Sequence, residues 1–130
     1  MRALIIDDDP QSVKLMKRAL RGWETATAPT LTEGLAAAGT LKPPVIVLDV
    51  RFIGADLTGL DYLPRLAAVS PQSKIVVVTA DYSPRDAELA LENDAVISYA
   101  PKGDVALLIS LALAAHRAAY RPASIAKESP

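Results

Sequence analysis

The sequence contains no cysteine and only one histidine. The lack of cysteine excludes disulfides, a thiol nucleophile and a cysteine-based zinc site, and one histidine cannot build a multi-histidine metal centre. Glycine is also scarce, since the chain has six, and their spacing matches neither a dinucleotide-binding fingerprint nor a Walker loop. Thiol chemistry, zinc chemistry of these types and nucleotide binding are therefore not expected.

The chain also lacks an excess of charge of either sign. Lys and Arg together number 14, Asp and Glu number 15, and the formal net charge is −1. Direct nucleic-acid binding usually needs a basic surface, which this composition does not favour. The apolar stretch at the N-terminus is too short for a signal peptide or a membrane span. We expect a cytoplasmic protein that makes no direct contact with nucleic acid or membrane.

Apolar residues are abundant by comparison. They make up 51% of the 130 residues, and a chain of this length and hydrophobicity commonly forms one domain around a single core. We expect that domain to span residues 1–120, followed by a polar tail or linker over 121–130.

Short apolar runs alternate with longer amphipathic stretches along the chain, a pattern typical of β-α-β units and a parallel sheet. Three continuous runs predict inner strands covered on both faces, and two runs of mixed polarity predict peripheral strands. The inner candidates are Ala3–Ile6, Val45–Leu48 and Ile75–Val78, and the peripheral ones are Glu24–Ala28 and Val96–Tyr99.

Five helices are predicted between and after these strands. Pro10 and Ser83 favour the starts of the first and fourth helices, and the acidic N-cap Asp104 favours the start of the fifth. Pro64 is expected only in the first turn of its helix. The predicted ranges are Gln11–Arg21, Thr32–Ala38, Leu60–Val69, Pro84–Glu92 and Asp104–Tyr120.

Polar residues follow the predicted strands, and in a parallel sheet those positions meet at one edge, where ligands bind. Two carboxylates about 4 Å apart repel by about 4 kcal/mol at an effective dielectric of 20, so a cation is expected among them. Oxygen ligands favour Mg²⁺. A carboxylate beside Mg²⁺ and a lysine is suited to becoming phosphorylated itself. The residues are Asp7, Asp8, Asp9, Asp49, Thr79 and Lys102.

Four short motifs at these strand ends resemble the receiver domain of two-component response regulators, the CheY-like family. They read Ile-Ile-Asp-Asp-Asp, Val-Leu-Asp, Val-Thr-Ala and Tyr-Ala-Pro-Lys, in that order. The resemblance covers residues 1–120. It implies an α/β, flavodoxin-like, doubly wound sheet of five parallel strands in the order 2-1-3-4-5, with five helices.

The resemblance also implies a role for each motif residue. Asp49 would accept a phosphoryl group from a sensor histidine kinase or phosphotransfer protein, in a switch that is not a classical enzyme. The signal would pass through the face formed by helix 4, strand 5 and helix 5. The implied Mg²⁺ ligands are Asp7, Asp8, Asp49 and the Arg51 backbone carbonyl; the phosphoryl contacts are Thr79 and Lys102; the switch residues are Thr79 and Tyr99.

Two features near the acceptor depart from the family pattern. The segment between Asp49 and Gly59 is about two residues longer than usual, and Arg51 places a cation at the mouth of the site. We expect Arg51 to pair with Asp81 across that mouth. In the family these two positions flank the path of the attacking water, so the pair is expected to set the lifetime of the phosphorylated state.

Helix 5 is unusually apolar, because only Ser110 is polar between Val105 and Ala115. Its apolar residues cover about two-thirds of the helix circumference, more than packing on a sheet requires. This predicts a docking surface for a downstream protein partner or a second copy of the chain.

Two other functions stay open at this point. The chain could be a degenerate receiver that binds partners without being phosphorylated, an alternative favoured by Arg51 and the longer loop. A phosphatase of the aspartyl class is less consistent with the sequence, since such enzymes carry an acid two residues after the nucleophile, where this chain has Arg51.

Overall fold

The computed structural model describes residues 1–120, in which five strands and five helices alternate along the chain. The predicted tail over residues 121–130 lies outside this range. The elements are β1 (Arg2–Ile6), α1 (Pro10–Ala19), β2 (Glu24–Ala28), α2 (Leu31–Leu41), β3 (Val45–Asp49), α3 (Gly59–Val69), β4 (Lys74–Thr79), α4 (Pro84–Leu91), β5 (Val96–Pro101) and α5 (Val105–Ala119).

All strand pairs are parallel, and the sheet order is β2-β1-β3-β4-β5. The predicted doubly wound topology is therefore confirmed, including the peripheral positions of β2 and β5. The register aligns Ile6 with Leu48 and Asp49 with Val78, so the strands end close to a common edge.

The inner strands are apolar because they are covered on both faces. Alternate residues of a strand point to opposite faces, and Leu4 and Ile6 belong to one core cluster while Ala3 and Ile5 belong to the other. The first cluster packs beneath α2, α3 and α4, and the second packs beneath α1 and α5. Burial on both sides explains why these strands lack polar alternation.

Polar caps fix where the helices begin. Asp9 accepts a hydrogen bond from the Gln11 amide and caps α1, while Ser83 and Asp104 cap α4 and α5 as the sequence predicts. A cap satisfies backbone N–H groups that the first turn leaves unpaired. These caps hold the helix starts at the sheet edge where the polar residues gather.

The position of Pro64 differs from the prediction. It is the sixth residue of α3, beyond the first turn. The missing N–H of a proline there removes one helical hydrogen bond. Pro64 is exposed, whereas Leu63 and Leu66 of the same helix are buried. Burial of the apolar face therefore outweighs the lost bond.

The apolar residues of α5 are only partly covered by the sheet. Leu108, Ala112 and Ala115 are buried against the sheet, whereas Val105 and Ile109 are exposed. The small alanines let the helix lie close to the sheet, and this packing accounts for part of its apolar composition.

Two glycines of α2 provide a matched test of packing between this helix and β1. A Cβ on Gly34 would lie 2.7 Å from two carbon atoms of Ile6, whereas one on Gly39 would meet Val69 at an ordinary 3.6 Å. We expect Gly34→Ala to lower the free energy of unfolding by about 1–3 kcal/mol through overpacking. We expect Gly39→Ala to raise it by up to about 1 kcal/mol, since alanine is the better helix former. Urea denaturation measures the free energy of unfolding of both variants. An equal change in the two would contradict the close approach of Gly34 to Ile6.

Candidate functional site at the carboxyl ends of the strands

The carboxyl edge of the sheet brings together the polar residues singled out by the sequence. Asp7 directly follows β1, Asp49 ends β3, Thr79 ends β4 and Lys102 directly follows β5. Asp7, Asp49 and Thr79 are buried, although each is polar or charged. Buried charged groups need partners, and the geometry of the site supplies them.

Lys102 provides the positive charge of the site. Its Nζ lies 2.7 Å from Oδ2 of Asp7 and 3.2 Å from Oδ1 of Asp49. It also donates a hydrogen bond of 3.3 Å to Oγ of Ser12, and its backbone amide donates to the carbonyl of Thr79 at 2.7 Å. The ammonium is thus held between the ends of β1 and β3.

Burial and charge shift the pKa values of this pair. Burial, followed by the nearby Asp7 carboxylate, raises the pKa of Asp49 from its ordinary 3.8 to about 6, although Lys102 opposes the shift. Burial alone would lower the pKa of Lys102, but its contacts with Asp7 and Asp49 outweigh that effect and raise it. The single ammonium is therefore insufficient to offset burial and repulsion at Asp49.

The carboxylates of Asp7, Asp8 and Asp49 form a potential cation site, with one oxygen from each lying within 4.8 Å of the others. Oδ2 of Asp7 is buried, and its close contact is the Lys102 ammonium at 2.7 Å. A ligand set of three carboxylates, with oxygen as the only donor atom, suits a hard divalent cation such as Mg²⁺.

Asp8 differs from the other two carboxylates because it is only half-buried. Its Oδ2 accepts a hydrogen bond of 2.8 Å from the backbone amide of Ile53, in the loop between β3 and α3. The side chain of Ile53 itself is 96% exposed. One oxygen of this predicted metal ligand is therefore engaged with the longer loop noted in the sequence.

Thr79 is buried and its hydroxyl is engaged with the next loop. Oγ1 donates to the Asp81 carbonyl at 3.2 Å and accepts from the Asp81 amide at 3.1 Å. These local bonds fix the first turn of the segment between β4 and α4.

Tyr99, the predicted switch residue, is buried beneath the same segment. Its hydroxyl accepts a hydrogen bond of 3.2 Å from the Ser83 amide. Its ring lies 5.1 Å from that of Tyr82, centroid to centroid. Thr79 and Tyr99 thus contact different residues of one connection, which links the site to the start of α4.

The expected pairing of Arg51 with Asp81 is wrong. Nη2 of Arg51 instead lies 3.3 Å from Oδ2 of Asp86, in the first turn of α4. Asp86 is the third residue of α4, where an acidic side chain favours the positive end of the helix dipole. The half-buried Asp86 carboxylate can therefore receive a guanidinium that approaches from the loop after β3.

Three residues of the site escaped the sequence reasoning. Ser12 contacts Lys102, Asp86 pairs with Arg51, and Gly59 lies against the backbone of β3. A Cβ at Gly59 would overlap the carbonyl oxygen of Asp49. Ser12 and Asp86 are each three residues after a helix cap, a spacing that could have drawn attention to both.

The raised pKa of Asp49 predicts how stability depends on pH in the absence of divalent cations. With a pKa of about 6 in the folded state against 3.8 ordinarily, the folded chain binds more protons between these values. The contribution of Asp49 to the free energy of unfolding therefore falls as the pH rises from about 4 to 6. We expect Asp49→Asn to be more stable than wild type at pH 7 by about 1 kcal/mol, the scale of one pKa unit.

Denaturation series at pH 4 and pH 7 measure this difference, and the pH 4 pair serves as the internal control. At pH 4 the wild-type carboxyl is largely protonated and the two proteins should differ little. An Asp49→Asn variant that loses stability equally at both pH values would contradict the assigned shift.

Comparisons with known proteins agree with this arrangement. The family model for the response regulator receiver domain matches residues 3–101. The chain is 37% identical over 79 residues to the probable transcriptional regulatory protein TcrX of Mycobacterium tuberculosis, an alignment covering 59% of this chain and 33% of TcrX. It is 33% identical over 96 residues to the DNA-binding response regulator MtrA of Mycolicibacterium smegmatis, covering 72% of this chain and 41% of MtrA. The chain thus spans between a third and about two-fifths of the length of these relatives.

Solved structures show the same fold. A CheY-like receiver domain protein from Methanospirillum hungatei JF-1 superposes with a TM-score of 0.78 at 24% identity, covering 90% of this chain and 94% of that one. The response regulator TrrA from Thermotoga maritima, solved in complex with Mg²⁺ and BeF, superposes with a TM-score of 0.68 at 26% identity, covering 79% and 87%. Within residues 1–120, no helix is both long and apolar enough to cross a membrane. The family match, the sheet order and the residues at the strand ends lead to one conclusion: the chain belongs to the receiver domain family of two-component response regulators.

Proposed function

We propose that this chain is a phosphorylation-controlled signalling switch whose phosphoryl acceptor is Asp49. The observation that carries the proposal is the position of Lys102, whose ammonium contacts Asp7 and Asp49 at the ends of β1 and β3. Members of the family act as signalling switches rather than as classical enzymes, and the family implies a sensor histidine kinase or phosphotransfer protein as donor. The cytoplasmic location expected from the sequence remains a prediction.

The proposed transfer forms one bond and breaks another. An Asp49 carboxylate oxygen bonds to phosphorus as the bond between phosphorus and the donor histidine breaks. Negative charge spreads over the transferring oxygens, and a preorganised cation in a partly buried site stabilises it. Lys102 supplies that charge, since it already lies 3.2 Å from Asp49. The hydroxyl of Thr79 would leave the Asp81 carbonyl to donate to a phosphoryl oxygen.

The acidic cluster is proposed to hold Mg²⁺ during transfer. Asp7, Asp8, Asp49 and the backbone carbonyl of Arg51 would be the protein ligands. The ion would neutralise carboxylate charge and the charge on the phosphoryl oxygens.

The output is proposed to pass through the face formed by α4, β5 and α5. A change at Thr79 would alter its bonds to Asp81, and the same connection contacts Tyr99 through Ser83. On α4, Leu89 and Leu91 are both exposed. A downstream protein or a second copy of the chain is the proposed partner. Val105 and Ile109 of α5 are also exposed, but they lie beside Leu15 on the side of α5 that borders α1.

Arg51 and Asp81 are proposed to tune the lifetime of the phosphorylated state. They follow the acceptor and Thr79 by two residues each, the positions that flank the attacking water in the family. In the phosphorylated state the Arg51 guanidinium would narrow that path from beside the phosphoryl oxygens, rather than through a pair with Asp81 as the sequence suggested.

A degenerate receiver that binds partners without phosphorylation is the second candidate. Two contacts favour it: Arg51 is bound to α4 beside the acceptor, and one Asp8 oxygen is engaged by Ile53. The Ile53 contact occupies an oxygen that Mg²⁺ binding would use, and the Arg51 pair fixes a side chain at the mouth of the site.

We predict that incubation with acetyl phosphate and Mg²⁺ adds one phosphoryl group to the chain. Asp49→Asn removes the nucleophilic charge while keeping the shape, so it should abolish labelling. Intact-mass measurement gives the result, and Asp94→Asn, which removes an exposed carboxylate in the turn before β5, is the matched control that should label fully. An unlabelled wild type would support the degenerate receiver, and full labelling of Asp49→Asn would contradict the assigned acceptor.

We also predict that Mg²⁺ stabilises the folded chain. A ligand that binds only the folded state stabilises it by RT ln(1 + [L]/Kd), or about 1–2 kcal/mol at 20 mM for a Kd near 1 mM. The expected result is a rise of several degrees in Tm by calorimetry. Asp8→Ala should weaken this response most. Asp9→Asn is the control, because Asp9 caps α1, so its variant should keep the full response. A Tm that does not change with Mg²⁺ concentration would contradict the proposed cation site.

A further inference from the structure

The ion pair between Arg51 and Asp86 joins two segments that border the site. Arg51 lies in the loop after β3 and its side chain is 58% exposed, whereas Asp86 lies in the first turn of α4 with its side chain 19% exposed. A single hydrogen bond of 3.3 Å, from Nη2 of Arg51 to Oδ2 of Asp86, connects them. An exposed, single-bonded pair of this kind is weak, at about 0–1 kcal/mol, so another anion can replace its carboxylate.

The acceptor lies within reach of this guanidinium. Arg51 follows Asp49 by two residues, so their Cα atoms are at most about 7 Å apart. An arginine side chain is long enough to span that distance, and guanidinium binds phosphate oxygens through paired N–H groups. A phosphoryl group carries up to about two negative charges near neutral pH, more than the one on Asp86.

We propose that Asp86 is a positioning residue for the transfer reaction: its carboxylate holds Arg51 on the α4 side of the site, in competition with the phosphoryl group at Asp49. The proposal rests on the proposed function of Asp49. Before transfer, the Arg51 guanidinium is paired with the Asp86 carboxylate. When a phosphoryl group reaches Asp49, the guanidinium leaves Asp86 and binds the phosphoryl oxygens, and the first turn of α4 loses its tie to the loop after β3.

The position of Asp86 gives this exchange a consequence for α4. The Asp86 amide donates to Oγ of Ser83, and the Ser83 amide donates to the hydroxyl of Tyr99. Release of the Asp86 carboxylate therefore acts on the same turn that Thr79 and Tyr99 contact. This chain has an additional charge-based link between acceptor and α4.

The test measures the rate of phosphorylation by acetyl phosphate with Mg²⁺, followed by intact mass over time. The variants are Asp86→Asn, Asp86→Glu, Arg51→Ala and the double variant Arg51→Ala/Asp86→Asn. Glu88→Gln is the matched control, because it removes an exposed negative charge from α4 two residues further along.

Competition predicts that Asp86→Asn speeds phosphorylation by about two- to fivefold, the range that a weak ion pair can account for. Asp86→Glu should restore the wild-type rate, and Glu88→Gln should leave it unchanged. In the Arg51→Ala background, Asp86→Asn should have no further effect. The acceleration should also shrink at high ionic strength, since salt screens exposed charges.

Other outcomes overturn the proposal. An unchanged or slower rate in Asp86→Asn, with normal labelling of wild type, rejects the competition and leaves the proposed function intact. An equal acceleration in the Arg51→Ala background would show that Asp86 acts through the helix alone. A wild type that takes up no phosphoryl group contradicts the proposed function itself, and this proposal fails with it.

Discussion

The contact of one buried ammonium with two buried carboxylates constrains the rest of the site. Lys102 lies between Asp7 and Asp49, so the ends of β1, β3 and β5 must meet at one edge with little tolerance. The parallel register provides that alignment, and the Lys102 amide is tied to the carbonyl of Thr79. Three carboxylates facing one ammonium leave a local excess of two negative charges, which is the charge that one divalent cation carries. The sheet order therefore also brings these charged groups together, in addition to packing the core.

The sequence predicted the fold well because its strongest signals are local and redundant. Continuous runs such as Val45–Leu48 can be inner strands only when both faces are covered, and the helices between them fix parallel connections. The positions of Asp7, Asp49, Thr79 and Lys102 then follow from topology, since each comes directly after or at the end of a strand. Their convergence therefore needed no knowledge of side-chain conformation.

The outcomes that the sequence could not predict depend on how far a side chain reaches and on which of two opposing contributions to stability is larger. Arg51 had carboxylates available at Asp81 and Asp86, and only the orientation of the first turn of α4 decides which one it contacts. Pro64 lies inside α3 because the buried Leu63 and Leu66 outweigh one missing hydrogen bond. The contact of Ser12 with Lys102 joins residues that lie 90 positions apart. The spacing from the helix caps marks Ser12 and Asp86, but no local pattern shows which partner each of them contacts.

The hydrogen bond from the Ile53 amide to Asp8 connects a proposed cation ligand to an exposed loop. Coupling between two sites is reciprocal. If the loop contact changes the affinity of the site for a cation, cation binding changes the stability of the loop contact by the same free energy. Under the proposed cation site, a protein that binds the exposed Ile53 and displaces its amide would therefore change the affinity of the site for the cation. Such a protein would adjust the chemistry proposed at Asp49 without touching that residue.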